Sequence, residues 1–262
     1  MTSTNNYRFG WRRDTPDGRD LLFTIPEDVA QSLPAQVDLT AQCPPVYDQG
    51  DLGSCTANAI AGAFEFDVLR QKLPDFTPSR LFIYYFERAL EGDVSQDSGA
   101  TLRDGMKVMN KRGVCPESLW PYDTSKFAVE PPVQCRVDAL DHRVVSYRRI
   151  TKNLTMMKAC LASGLPFVFG INVFQSFMDA NDGVVPMPGP DEPLLGGHAI
   201  VAVGFDDATQ RFKFRNSWGE SYGQNGYGTI PYAYLTSSQA SDFWQISVVG
   251  NVLTQIVERL HI

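Results

Sequence analysis

Gln49-Gly50-Asp51-Leu52-Gly53-Ser54-Cys55 decides the reading of this chain, because it sets a carboxamide six positions ahead of a cysteine that opens a predicted helix. A thiol at a helix N-terminus and a nearby side-chain amide are the parts of an activated nucleophile with an oxyanion site. Far downstream, the apolar run Gly196-Gly197-His198-Ala199-Ile200-Val201-Ala202-Val203-Gly204 presents a histidine at the start of a predicted strand. Beyond it, Arg215-Asn216-Ser217-Trp218-Gly219 places an asparagine two positions before a tryptophan.

In these residues the chain resembles the papain-like cysteine peptidases of the papain and cathepsin type. Their local pattern is Cys-Gly-Ser/Ala-Cys-Trp/Tyr, with His and Asn roughly 130 to 150 residues further on. Gly53-Ser54-Cys55 fits, as does the order of Cys, His and Asn; His198 falls in the range and Asn216 slightly beyond it. Leu52 stands where the family has a disulfide cysteine and Thr56 where it has an aromatic. The first departure removes a crosslink; the second alters packing behind the nucleophile without removing a catalytic group. The resemblance covers roughly residues 37 to 235.

The resemblance implies an α+β, two-lobe fold: a helical lobe, an antiparallel β-barrel-like lobe, and a cleft between them. It implies four catalytic residues. Cys55 is the nucleophile, activated by the helix N-terminus and an imidazolium. His198 takes the thiol proton and returns it to the departing amine. Asn216 orients the imidazole by accepting a hydrogen bond, and Gln49 donates to the oxyanion. Trp218 corresponds to the family's shielding indole. For substrate, Gly99 and Ala100 form one wall, Gly197 faces them, and Ala199 lines a pocket suited to small apolar side chains two positions before the cut. The implied activity is hydrolysis of peptide bonds through a thioester, with no metal or organic cofactor. A noncatalytic peptide-binding protein and a thioester-forming acyl transferase or ligase are the alternatives on the same fold.

Composition agrees with a globular chain: 262 residues, 43% of them hydrophobic, can bury one large core or two modest ones. The formal net charge of −7 disfavours nucleic acid or an anionic membrane as a partner, leaving peptide or protein substrates. The longest apolar runs, Pro166 to Val173 and Ala199 to Phe205, are far shorter than the ~20 residues that span a bilayer. The first eight residues carry no apolar signal-like core, so the expected location is cytoplasmic, or export by another route. Five cysteines leave at least one thiol unpaired. Cys43, Cys115, Cys135 and Cys160 are expected as reduced structural thiols, with Cys115 and Cys135 the one pairing worth checking. Asp179-Ala180-Asn181-Asp182-Gly183 lacks the spacing of a calcium loop and reads as a turn.

The expected organisation is an N-terminal extension over 1–36, a helical lobe over 37–138, a β lobe over 139–250 and an amphipathic tail over 251–262. Helical spacing follows Ser54, a candidate N-cap, through Ala57, Ile60, Ala61, Phe64, Val68 and Leu69. A second helix is predicted with Thr77 as cap, Pro78 as its first residue and Gly92 past its end. A third stops at Gly113, and a fourth around Met156 to Ala162 ends at Gly164. Strands are predicted at Val144 to Arg149, Tyr227 to Ile230 and Phe243 to Val249, with a hairpin joining 198–205 to 211–216. His142 and His261 read as surface residues. The extension is too short for the family's long helical pro-segment. Its aromatic stretch Phe9-Gly10-Trp11 suits a strap that either caps the β lobe or lies over the cleft.

Overall fold

The computed structural model describes residues 7–25 and 27–248; the expected tail at 251–262, with His261, lies outside them. In chain order, strand β1 (Trp11–Arg12) and short helix α1 (Glu27–Gln31) lead to strand β2 (Gln36–Asp38), helix α2 (Cys55–Arg70) and helix α3 (Arg80–Glu91). Strand β3 (Ala100–Thr101), helices α4 (Leu102–Lys111) and α5 (Val133–Asp138), strand β4 (Val144–Arg149) and helix α6 (Leu154–Ala162) follow. The remainder is β5 (Phe167–Phe174), α7 (Gln175–Met178), β6 (Leu194–Asp206), β7 (Arg211–Arg215), β8 (Tyr227–Pro231), α8 (Tyr232–Thr236) and β9 (Ala240–Val248).

Helix α2 is buried without a break from Cys55 to Val68, which explains its run of small residues, since a helix packed on every side cannot be amphipathic. It packs against β6, β5 and β9 on one side and against α3 and α4 on the other. Gly62 leaves room for Arg215: an added Cβ would lie 2.4 Å from its guanidinium, which would have to shift. Ser54 occupies the N-cap position but makes no side-chain cap bond; its hydroxyl instead meets Tyr122 Oη at 2.5 Å. Helix α3 starts two residues later than its sequence suggests. Ser79, and not Thr77, is the cap, accepting from the Phe82 amide, because Thr77 and Pro78 are engaged with the 116–117 segment. Gly92 ends the helix at φ 80°, as expected of a left-handed cap.

The β lobe is a seven-stranded sheet in the order β4-β9-β5-β6-β7-β8, with β2 paired to β6. All of its pairings are antiparallel. Strand β2 runs alongside Gly204 to Asp206, so the lobe boundary read at residue 37 falls inside a strand of the β lobe. Among the described residues β4 and β8 stand at the two ends of this path. The molecule is thus α+β and two-lobed, with the start of α2 facing β6.

One segment belongs to neither lobe. Residues 7–14 cross from the mouth of the cleft to its far end, with β1 paired in parallel to β3. Gly10 is closely packed against the helical lobe: a Cβ there would lie 1.7 Å from the Gly53 carbonyl oxygen. A Cβ at Gly99 would in turn lie 2.0 Å from the Gly10 carbonyl oxygen. Of the two placements open to the extension, it takes the one over the cleft.

Candidate active site

Cys55 opens α2, and backbone N–H groups of Thr56, of Ala199 on β6 and of Gly10 on the strap reach its sulfur. The thiol is fully buried. Burial pushes its pKa up to about 11, and those hydrogen bonds only partly oppose the shift. In this closed state burial of the thiol outweighs the amide hydrogen bonds that favour its anion. Glu87, bonded to the Thr56 hydroxyl at 2.8 Å, is pushed up to about 8 by burial. Its charge, where it forms, raises the thiol pKa further.

His198 lies on β6 beside Ala199 and is also fully buried. Its Nε2 is 2.8 Å from Asn216 Oδ1. The same oxygen accepts the Ser217 amide at 2.8 Å, which identifies it as oxygen and fixes the proton on Nε2. Nδ1, left without a hydrogen-bond partner among the described residues, is the nitrogen free to accept a proton. Burial drives the imidazole pKa down to about 4, with Asn216 opposing. Trp218 stacks on the ring at a centroid distance of 4.6 Å and 23°, covering the His–Asn bond from solvent.

Gln49 is aimed by residues that the sequence pattern did not single out. Ser217 Oγ donates to Gln49 Oε1 at 2.7 Å, so the amide nitrogen is turned the other way. Tyr122 Oη donates to the Gln49 carbonyl at 3.0 Å, and Arg80 donates to the Asp48 carbonyl at 3.0 Å while pairing with Glu117. Ser217 could have been suspected from its place between Asn216 and Trp218; Tyr122 and Arg80 carry no local signal. From this mount Gln49 Nε2 donates to the carbonyl of Arg8 in the strap at 3.0 Å, and to that of Leu52 at 3.0 Å.

The strap lies against the site residues along its length. Tyr7 stacks on the outer face of Trp218 at 4.2 Å, and Phe9 covers Gly196 and the edge of His198. Arg8 pairs with Asp97 at 2.7 Å, and the Gly10 carbonyl accepts from the Ala100 amide at 2.8 Å. Gly99, Ala100 and Gly197, expected to line the cleft, all touch the strap, whereas Ala199 is fully buried beneath it and faces the thiol with its backbone. At the strap's root, Asp14 accepts from the Arg103 amide at 3.0 Å and from Trp244 Nε1 at 2.9 Å, while its own amide donates to Asp242 at 2.8 Å.

The other four cysteines, Cys43, Cys115, Cys135 and Cys160, are free thiols. Burial raises the pKa values of Cys43, Cys115 and Cys160. Cys115 and Cys135 lie within hydrogen-bonding reach of each other, unbridged.

Comparison with known proteins agrees with this geometry. The profile described as papain family cysteine protease matches residues 33–240. A peptidase C1-like protein of Acanthamoeba polyphaga mimivirus is 42% identical, over 95% of this chain and 89% of its own. Cathepsin J of Mus musculus is 27% identical over 71% of this chain, which spans 56% of that longer protein. The crystal structure of xylellain, a cysteine protease from Xylella fastidiosa, superposes with a TM-score of 0.88 at 44% identity, covering 94% of this chain and 97% of that one.

Proposed function

This chain belongs to the papain family of cysteine peptidases, and we propose that Cys55, His198, Asn216 and Gln49 carry its peptide hydrolysis, in a cleft that residues 7–14 keep closed. Once the strap lifts, water returns and the burial that holds both groups neutral is relieved. Cys55 then passes its proton to His198 Nδ1, and the pair stands as thiolate and imidazolium. The sulfur attacks the substrate carbonyl carbon. The oxygen takes the negative charge and receives the Gln49 Nε2 hydrogen. Collapse forms the thioester as His198 protonates the departing amine, and the returned imidazole then draws a proton from water to release the acid. Asn216 holds Nε2–H throughout, so Nδ1 stays turned to the chemistry.

One observation carries this reading: the cleft already holds an extended peptide. The Arg8 carbonyl occupies the Gln49 amide, the Gly10 amide reaches the Cys55 sulfur, and the Gly10 carbonyl takes the Ala100 amide. The Gln49 amide and the Ala100 amide thus both lie within reach of one backbone, which supports the reading that a substrate backbone can engage them together. The test is cleavage of a fluorogenic peptide library by the full chain and by its Cys55→Ala variant, with and without an added amine. Hydrolysis that depends on Cys55 is expected. Equal cleavage by Cys55→Ala would refute the assignment, and amide products formed in preference to acid would make the chain a transferase.

A further inference from the structure

Glu87 of α3 is a fully buried acid that the chemistry above does not use, and it touches the residue directly after the nucleophile. Thr56 Oγ1 donates to its Oε2 at 2.8 Å, whereas its Oε1 is buried with no partner among the described residues. The charged groups around it are engaged elsewhere. Arg88, next on α3, donates to the carbonyls of Tyr84, Val94 and Gln96, and Glu91, one turn along, is paired with Arg12. On α4, Asp104 is paired with Lys107 at 2.8 Å and Arg103 with Asp20 at 2.6 Å. On α2, Glu65 meets Tyr47 and Asp67 meets Arg70, which leaves the Cys55 thiol as the titratable group of that helix coupled to Glu87. Helix α4 also makes room for the acid: a Cβ on Gly105 would lie 2.4 Å from Oε1. Gly105 has no left-handed φ, so conformation does not call for glycine there, and glycine weakens a helix interior relative to alanine. Thr56 and Gly105 belong to the helical lobe, so this setting does not depend on the strap.

We propose that Glu87 is a positioning residue for the nucleophile and works as a neutral acid: it anchors Thr56 while Cys55 carries the thiolate, and a charge on either group opposes a charge on the other. This rests on the reading above that Cys55 is the nucleophile. The Thr56 amide reaches the Cys55 sulfur, so holding the Thr56 side chain holds a donor to the thiolate. A buried carboxyl with one neutral donor and no paired cation keeps its proton into the alkaline range, and of two neighbouring buried acids the first to ionise hinders the second. Glu87 is pushed up to about 8 by burial, and its charge raises the thiol. By the same coupling the thiolate holds the proton on Glu87. No proton leaves Glu87 during turnover; His198 remains the base. The departure from the family at residue 56 thereby acquires a use: in place of an aromatic stands a hydroxyl whose partner is a buried acid.

The experiment compares the full chain with its Glu87→Gln and Glu87→Met variants, taken as ratios so that the strap's own opening cancels. Glu87→Met leaves the Thr56 hydroxyl buried and unpaired, so kcat on a fluorogenic peptide near pH 6 should fall roughly 10-fold with KM unchanged. Glu87→Gln keeps an acceptor for Thr56 without an ionisable group and should recover most of that loss. To read the charge, the parent and Glu87→Gln each also carry His198→Ala, so that Cys55 titrates without an imidazolium, and iodoacetamide uptake at Cys55 is followed by mass spectrometry. Glu87→Gln should label roughly 5- to 10-fold faster near pH 9 and equally fast near pH 6, because the acid carries its charge only in the alkaline range. A Glu87→Gln enzyme as slow as Glu87→Met, or a labelling ratio that does not change with pH, overturns the proposal. If Glu87→Met does not fold, the pH dependence of the labelling ratio decides alone. Cleavage that persists in Cys55→Ala would instead refute the catalytic reading while leaving that ratio as it stands, so the two failures are distinguishable.

Discussion

Adding one methyl group at residue 10 should open this enzyme. Gly10 has no left-handed φ, so Gly10→Ala does not strain the strap's own backbone. The new Cβ would lie 1.7 Å from the Gly53 oxygen and 2.4 Å from the Gly53 carbonyl carbon, and backbone atoms, unlike a side chain, have no rotamer by which to step aside. The far side offers no retreat, because the Gly10 carbonyl is already packed against Gly99. Forcing a methylene into a filled site costs about 1–3 kcal/mol, and a clash with rigid backbone belongs at the upper end. Against this stands what holds the strap at the cleft. The Gln49–Arg8 and Ala100–Gly10 hydrogen bonds contribute about 1 kcal/mol each. Burial of the Trp11 indole adds about 2 kcal/mol.

Closure is then favoured by about 4 kcal/mol, roughly a thousandfold, and Gly10→Ala removes about 3 kcal/mol of it. The expected result is a rise in kcat/KM of roughly 100-fold toward small peptides, with a ceiling near 1000-fold once the strap is fully displaced. Iodoacetamide should report the same event. In the closed chain Cys55 is buried with its pKa near 11, so it should label slowly at pH 7, whereas in Gly10→Ala it should take up one equivalent ahead of Cys43, Cys115, Cys135 and Cys160. A folded Gly10→Ala protein with wild-type turnover and wild-type labelling would show that the strap does not govern access.

In the opened Gly10→Ala background, Ser217→Ala should lower kcat about tenfold with little change in KM, because Gln49 loses the bond that turns its amide nitrogen into the cleft; Gln49→Ala should cost more, about 3 kcal/mol. Equal kcat with and without the Ser217 hydroxyl would remove that positioning role. Closure holds the His198 pKa near 4 against an ordinary 6.5, so the open state binds the proton more readily as pH falls through that window, and acid favours opening. The kcat/KM of wild type relative to Gly10→Ala, a ratio that cancels the intrinsic pH profile, should therefore climb between pH 7 and pH 4 by roughly 20-fold, bounded by the variant's own opening; a flat ratio would contradict it. Asp14, raised to about 6 in the closed state by burial and by Asp242, works in the opposite direction, so Asp14→Asn should steepen the climb, as read from the same ratio.

The residues placed at the cleft were legible through the resemblance to the papain family, and each also stands in a fitting local setting. Cys55 follows a turn and starts a helical period, His198 heads an apolar strand, and Asn216 and Trp218 share one face of an extended segment. Gln49 is fixed by its spacing to Cys55. What was not legible depends on approach between distant segments. Three residues of β2 are too few to show a period, so only pairing with Gly204 to Asp206 reveals them as a strand. Thr77-Pro78 looks like a helix start until the 116–117 segment engages it and Ser79 takes over the cap. The thiol pKa was read from the helix terminus and the imidazolium, two effects visible from nearby residues. Burial of the thiol among segments distant in sequence has no such signature, and it is the largest influence on that pKa.

The glycines carry the part of the design that sequence spacing conceals. Gly99, with φ 69°, answers to backbone conformation as well as space, whereas Gly10, Gly170 and Gly197 answer to space alone. Read singly, each is an unremarked residue in a loop or an apolar run. Set together, Gly10 lets the strap pass between Gly53 and Gly99, and Gly170 and Gly197 give its indole somewhere to go.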